Sequence, residues 1–263
     1  FANAYSAHPK CIPARVGIFS GTYPARFGMP AVQELGMYEQ KKTMRCFENL
    51  NIQAYKLPKH ATSLGEAFQE GGYKTAYLGK WHFGKNLTDG TPRHHGFDIS
   101  IGANDLGAPA SYFHPYTHAG NSKNKVAPPD MSDRERGTYL TDHLTDETID
   151  VLTQLKDDPF FVVLSHYAVH TPIQAPENIT RAFLEKRSRL NTTNAYSNAH
   201  GAVYKTTQDH PIYAGMLSSV DRSLGRVRDA LARLGLADST AIVFTSDNGG
   251  LASGKKTLQS GED

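Results

Sequence analysis

The chain has 263 residues, 39% of them apolar, enough for one large soluble domain or two small ones. Its 28 Lys and Arg against 26 Asp and Glu leave a formal charge of +2, which gives no electrostatic case for a nucleic acid or membrane surface as partner. No apolar run approaches the roughly 20 residues that cross a bilayer, and no secretory leader is visible.

The chain starts without Met and stops inside a polar loop, so the expectation is a piece of a longer domain, truncated at both ends. The first informative stretch is HPKCIPARVGIFSG, residues 8–21, holding one of two cysteines, Cys11; the other is Cys46. Pro13 suits the first turn of a helix, and Gly21 suits its end. Cys11 then sits at a helix N-terminus, where unpaired N–H groups and the dipole favour an anion. Arg15 lies one turn on, within reach of the same end. An ordinary buried thiol, or a disulfide with Cys46, is the alternative.

Ser63 with Glu66 makes a capping box that opens a helix in SLGEAFQEGG, and Gly71 and Gly72 close it. TAYLG, residues 75–79, follows as a strand. Leu144, Thr148, Val151, Leu152 and Leu155 then fall on one helical face, and the apolar run PFFVVLSHY reads as a buried strand. Tyr213, Met216, Val220, Leu224, Val227, Leu231 and Leu234 keep the same spacing as a third, core-packing helix. TAIVFTSDNGG, residues 240–250, reads as a strand and a turn. Helix and strand alternating three times predict an α/β fold with a mostly parallel central sheet flanked by helices.

Residues 86–137 and 177–209 lack a period and are rich in Gly, Pro, Asn, Ser, Thr and His. They read as long excursions over the sheet edge. Asn-X-Thr triplets at Asn86, Asn178 and Asn191 occur at about the chance rate and carry no weight for glycosylation. His94, His95, His114 and His118 read as surface or rim residues.

Polar residues follow each strand: Lys80 and His82, then His166 and His170, then Asp247 and Asn248. Ligands of open α/β sheets bind outside the carboxyl ends of the strands, so these residues are expected to converge there. Taken singly, Lys80 and His82 could mark a solvated turn, and DNGG a plain one. His166 reads as structural.

CIPAR (11–15) followed by TYPAR (22–26), GKWH (79–82), HTP (170–172) and TSDNGG (245–250) together resemble the type I, formylglycine-dependent sulfatases. These belong to the alkaline phosphatase superfamily. The motifs occur in family order across essentially the whole chain, which would make residues 1–263 a partial sulfatase catalytic domain. The resemblance implies that Cys11 is oxidised by a formylglycine-generating enzyme to Cα-formylglycine. The hydrated aldehyde would attack sulfur, and its second hydroxyl would later expel sulfate, covalent catalysis in two easier steps.

It also implies catalytic roles for Cys11, Arg15, Lys80, His82 and His170. Lys80 and His170 would bind sulfate, Arg15 would hold the hydrate, His82 would take the proton of the elimination, and His170 would protonate the leaving oxygen. Asp247 and Asn248, with residue 11, would ligate Ca²⁺, or alternatively Mg²⁺. The family's N-terminal Asp pair and late catalytic Lys are not found, Lys255 and Lys256 being loop residues, so this piece is expected to bind metal poorly and to be inactive alone. Ala14 stands where many members carry Ser, leaving the core motif intact.

The expected substrate is a sulfate monoester of a carbohydrate or aryl alcohol. Phosphonate monoester or phosphodiester hydrolysis, and non-catalytic binding of sulfated glycans, are the alternatives. Periplasmic or secreted location is implied by the resemblance alone.

Overall fold

In the computed structural model the described residues are 3, 5–27, 57, 61–83, 90–117, 127–190, 196–199 and 202–251. Helix α1 (Cys11–Ser20) begins at Cys11 and ends at Gly21, as the sequence predicts. A 3₁₀ turn covers Pro24–Phe27. The capping box forms as read: Ser63 Oγ accepts from Glu66 N at 3.0 Å, and Glu66 Oε2 accepts from Ser63 N at 2.7 Å. Helix α2 (Leu64–Glu70) leads into β1 (Lys74–Gly79), buried along all but its first residue.

β1 is the centre of a parallel sheet. β2 (Ile99–Ile101) and β3 (Phe160–Ser165) lie on either side, with Ala76 opposite both Ile99 and Val162. Helix α3 (Leu140–Gln154) returns the chain to β3 and packs Val151 and, beyond its end, Leu155 on Ala76 and Leu78. Helix α4 (Glu177–Ser188) and a hairpin of β4 (Tyr196–Ala199) and β5 (Ala202–Lys205) precede the long helix α5 (Pro211–Arg233). The α/β, mostly parallel architecture read from the sequence is therefore present.

The apolar stripe of α5 is buried less evenly than its spacing predicts. Met216 and Leu231 are buried, but Val220, Leu224 and Val227 are only half-buried. The inward line also runs through Gly215, Ser219 and Ser223: Gly215 leaves room for Thr180 of α4, and Ser223 faces Thr145 of α3. Ser223 Oγ accepts from Thr145 Oγ1 at 2.7 Å, and Arg222 pairs with Asp142 at 2.7 Å.

Three expectations need correction. Residues 86–137 are not only an excursion: they supply β2, too short for a periodic signal, and a 3₁₀ turn at Pro92–His95. Residues 177–209 contain α4, in which Thr180 is the single buried residue and Ile179 and Phe183, one turn apart, are half-buried, a short apolar signal. Residues 240–245 form no strand, and Ile242, Val243 and Phe244 are 46%, 86% and 67% exposed. Their β-branched and aromatic character favours a pleated surface, but no described strand lies beside them. His95 is a smaller correction: it is buried beside Trp81 rather than lying on the surface. Asn86, Asn191 and His118 fall outside the described residues.

α1 is held against β1 by an aromatic cluster. Phe19 lies 5.3 Å from Trp81 and 5.8 Å from Tyr77, ring centre to centre, with Ile12, Val16 and Phe97 around them. Each such side chain contributes about 1.5–3 kcal/mol when fully buried. The packing brings the N-terminus of α1 to the carboxyl end of β1.

Candidate active site

The site forms where β1 and β3 end. Gly79 has φ +94°, and a Cβ there would stand 2.1 Å from the Ser165 carbonyl oxygen, so only glycine lets the strand ends close up. Lys80 N continues the ladder by donating to that oxygen at 2.8 Å. The Lys80 side chain, 4% exposed, then reaches Cys11, with Nζ 3.4 Å from Sγ. Burial pushes the Lys80 pKa down; Cys11 and Asp247 oppose that push and Arg15 adds to it. Cys11 is a free thiol, and Cys46 lies outside the described residues.

Arg15 is buried and spends its donors on a fixed set of partners. Nε donates to the Trp81 carbonyl at 2.9 Å, and Nη2 donates to the Tyr77 hydroxyl, to the Lys80 carbonyl and to Ser165 Oγ. Nη1 faces Asp247 Oδ2 at 3.5 Å. Tyr77 and Ser165 thus hold the arginine that the sequence singled out, although neither drew attention as a site residue. Both carry signals visible afterwards: a hydroxyl-bearing ring in the middle of an apolar strand, and a serine at the last strand position.

His82 follows in the left-handed backbone region, at φ +64°. Such a conformation costs a non-glycine residue energy and persists where its surroundings enforce it. Its Nδ1 is buried with no hydrogen-bond partner among the described residues. Burial, then the charges of Lys80, Arg15 and His170, push its pKa down to about 3. The ring is therefore neutral at ordinary pH and available as a proton acceptor. His170 is exposed; its Nδ1 lies 3.0 Å from the Thr171 carbonyl, and the Tyr112 hydroxyl donates to the His170 carbonyl at 2.9 Å.

Asp247 is half-buried, and its backbone carbonyl accepts from Ser6. Asn248 Nδ2 donates to the Gly249 carbonyl at 2.9 Å, leaving Oδ1 buried with no donor among the described residues. A carboxylate beside an orphaned buried amide oxygen suits a hard cation that prefers oxygen. Two such residues are a partial ligand set, and the described residues hold no group of three or more His, Cys, Asp or Glu placed to bind a metal.

Cys11, Arg15, Lys80, His82, His170 and Asp247 are therefore brought to one mouth, with Asn248 beside them. His166 is turned away: Nε2 lies 2.9 Å from Ser223 Oγ, and burial pushes its pKa down to about 4, in line with the structural role read from the sequence. Lys255 and Lys256 lie outside the described residues. Two guanidinium or ammonium groups and the positive end of α1 meet here around a nucleophile position. Such an arrangement of charge favours an anion.

Comparison with known proteins agrees. The chain is 29% identical over 286 residues to the uncharacterized sulfatase YdeN of Escherichia coli, covering 98% of this chain and 42% of the relative. It is 29% identical over 254 residues to mouse arylsulfatase J, covering 94% of this chain and 36% of that protein. Its length thus spans about two fifths of these relatives. The fold superposes on Ps i-CgsB, solved with k-i-k-neocarrahexaose, at a TM-score of 0.64 and 24% identity, covering 90% of this chain and 47% of the other. It also superposes on the phosphonate monoester hydrolase of Agrobacterium radiobacter at 0.53 and 19%, covering 92% and 54%. The sulfatase family model matches residues 1–263, and the chain belongs to the sulfatase family.

Proposed function

We propose that this protein hydrolyses a sulfate monoester, of a carbohydrate or an aryl alcohol, at residue 11 after oxidation of Cys11 to Cα-formylglycine by a formylglycine-generating enzyme. The observation that carries this reading is the Lys80 ammonium, 3.4 Å from the Cys11 sulfur at the head of α1. An ammonium held there can neutralise a sulfate carried on residue 11.

The hydrated aldehyde supplies an oxygen nucleophile that can be eliminated afterwards. Lys80 neutralises one sulfate oxygen and keeps residue 11 in line for attack. Arg15, locked by Tyr77, Ser165 and two carbonyls, presents a fixed charge that costs no reorganisation during reaction. His170, exposed at the mouth, gives its proton to the departing alcohol oxygen as general acid. His82, neutral and buried, takes the proton released when sulfate leaves. Burial is the larger cause of its lowered pKa; an anion bound among its cationic neighbours offsets the smaller one, the repulsion from Lys80, Arg15 and His170, and so raises its basicity. Asp247 and Asn248 offer oxygen ligands for Ca²⁺, or Mg²⁺, which would add positive charge facing the sulfate oxygens. The described helices include none long and apolar enough to cross a membrane, and a periplasmic or secreted location is part of the proposal.

A second reading has one observation in its favour, the fold shared with a phosphonate monoester hydrolase. A panel run with the full chain after maturation separates them. Turnover of p-nitrophenyl sulfate and sulfated saccharides above phosphonate monoesters and phosphodiesters supports the sulfatase reading. The reverse order overturns it, and saturable binding without turnover leaves a glycan-binding protein.

A further inference from the structure

We infer that Gly107 is a positioning residue for His82, and this rests on the reading of His82 as the proton acceptor. His82 is gripped from one loop. Its backbone N–H donates to the Asn104 carbonyl at 3.0 Å. Its ring lies against Gly107: a Cβ added there would stand 2.3 Å from Cε1, 2.5 Å from Nε2 and 2.7 Å from Nδ1. Real side chains do not approach that closely, so any residue but glycine moves the imidazole.

The loop is itself fixed. Tyr167 donates to the Gly102 carbonyl at 2.9 Å, and Asn104 Oδ1 accepts from Leu106 N at 2.9 Å. On the other side Trp81 and Phe83 are both buried, so the backbone flanking His82 cannot yield. Gly107 has no positive φ that would demand glycine for the backbone's sake, and the close approach of the ring is the constraint that remains. The three atoms nearest to a Cβ at Gly107 all belong to the His82 ring, so a substitution there acts on that ring first.

The test is Gly107→Ala in the matured full chain, made alone and together with His82→Ala. Displacing a reacting group by about 1 Å costs on the order of a hundredfold in rate, so kcat is expected to fall by about 10- to 100-fold with KM little changed. In the His82→Ala background the same substitution is expected to add no further loss, because the two residues act as one unit. The His82 imidazole resonance, identified by its disappearance in His82→Ala, is expected to shift in Gly107→Ala while that of His166 stays in place. Tyr167→Phe, which loosens the loop without adding volume, serves if Gly107→Ala does not fold, and predicts a smaller loss, again only while His82 is present. Equal losses in both backgrounds, or an unmoved His82 resonance, would overturn the inference. Full turnover by His82→Ala would instead remove the proposed role of His82, and the resonance would still decide the contact.

Discussion

Arg15 Nη1 faces Asp247 Oδ2 at 3.5 Å, joining the first helix of the chain to its last described turn across 232 positions. The pair ties the nucleophile's helix to the residue proposed to hold a cation, and Arg15 has no exposed route of escape. Arg15→Ala leaves the buried Trp81 carbonyl without its donor, while Tyr77 and Ser165 still donate to the Lys80 carbonyl, and the expected loss is about 1–3 kcal/mol of folding free energy. Arg15→Lys recovers part of the stability but not the turnover, since an ammonium cannot reproduce a planar fork of donors. Urea unfolding of both variants beside the parent chain checks this; an Arg15→Ala chain of unchanged stability would contradict it.

Lys80 separates activity from stability. Its burial opposes its own charge, so the folded chain bears a cost for it. Lys80→Met is expected to leave stability equal or higher while lowering kcat by on the order of 10²–10³. Denaturant unfolding and steady-state kinetics on the same preparation measure both. A large loss of stability with kcat intact would show that Lys80 is a structural lysine.

Two neutral histidines, His82 and His166, contribute to a pH dependence. His82 and His166 have folded pKa values of about 3 and about 4, below the ordinary 6.5. A lowered pKa means that the unfolded chain binds more protons, so stability is full above pH 6.5 and falls as the pH drops from there toward 4. Each group contributes a slope of up to about 1.4 kcal/mol per pH unit in that window. Unfolding free energies between pH 7 and 4.5 are expected to show this slope, and His166→Gln to reduce it. An unchanged slope in His166→Gln would refute the assignment.

These neutral imidazoles show how far the sequence was legible. Motif order pointed to Cys11, Arg15, Lys80, His82, His170 and Asp247; Lys80, His82 and His170 follow the ends of β1 and β3, whereas Cys11 and Arg15 lie on α1 and Asp247 follows a segment that forms no strand. The Ser63 and Glu66 capping box and the helix starting at Cys11 were legible because their signals are local. β2 was hidden because three residues carry no period, and α4 because its inner side offers only Ile179 and Phe183, too few to show a helical period. Residues 240–245 were misread as a strand because β propensity describes a side chain's fit to a neighbour, and no described neighbour is present. Tyr77, Ser165, Asn104 and Gly107 escaped notice for another reason. They act by holding Arg15 or His82, through contacts between residues far apart in sequence that no local pattern encodes.

The proposed cation should appear as a stability effect. At a free concentration a hundred times its Kd, Ca²⁺ adds about 2.7 kcal/mol to the folded state. Thermal unfolding with Ca²⁺, with Mg²⁺ and with a chelator is expected to show the shift in the full chain. Asp247→Ala, and more weakly Asn248→Ala, should reduce it. A shift that survives Asp247→Ala would place the cation elsewhere.

The central claim is that residue 11 acts as an aldehyde, and the mass of one peptide tests it. Trypsin cutting after Lys10 and after Arg15 releases CIPAR from the chain expressed with or without a formylglycine-generating enzyme. With the enzyme, the account predicts a peptide lighter than the thiol form that reacts with a hydrazide. A peptide that stays a thiol, or is found disulfide-bonded to Cys46, in the presence of an active maturation enzyme would contradict it.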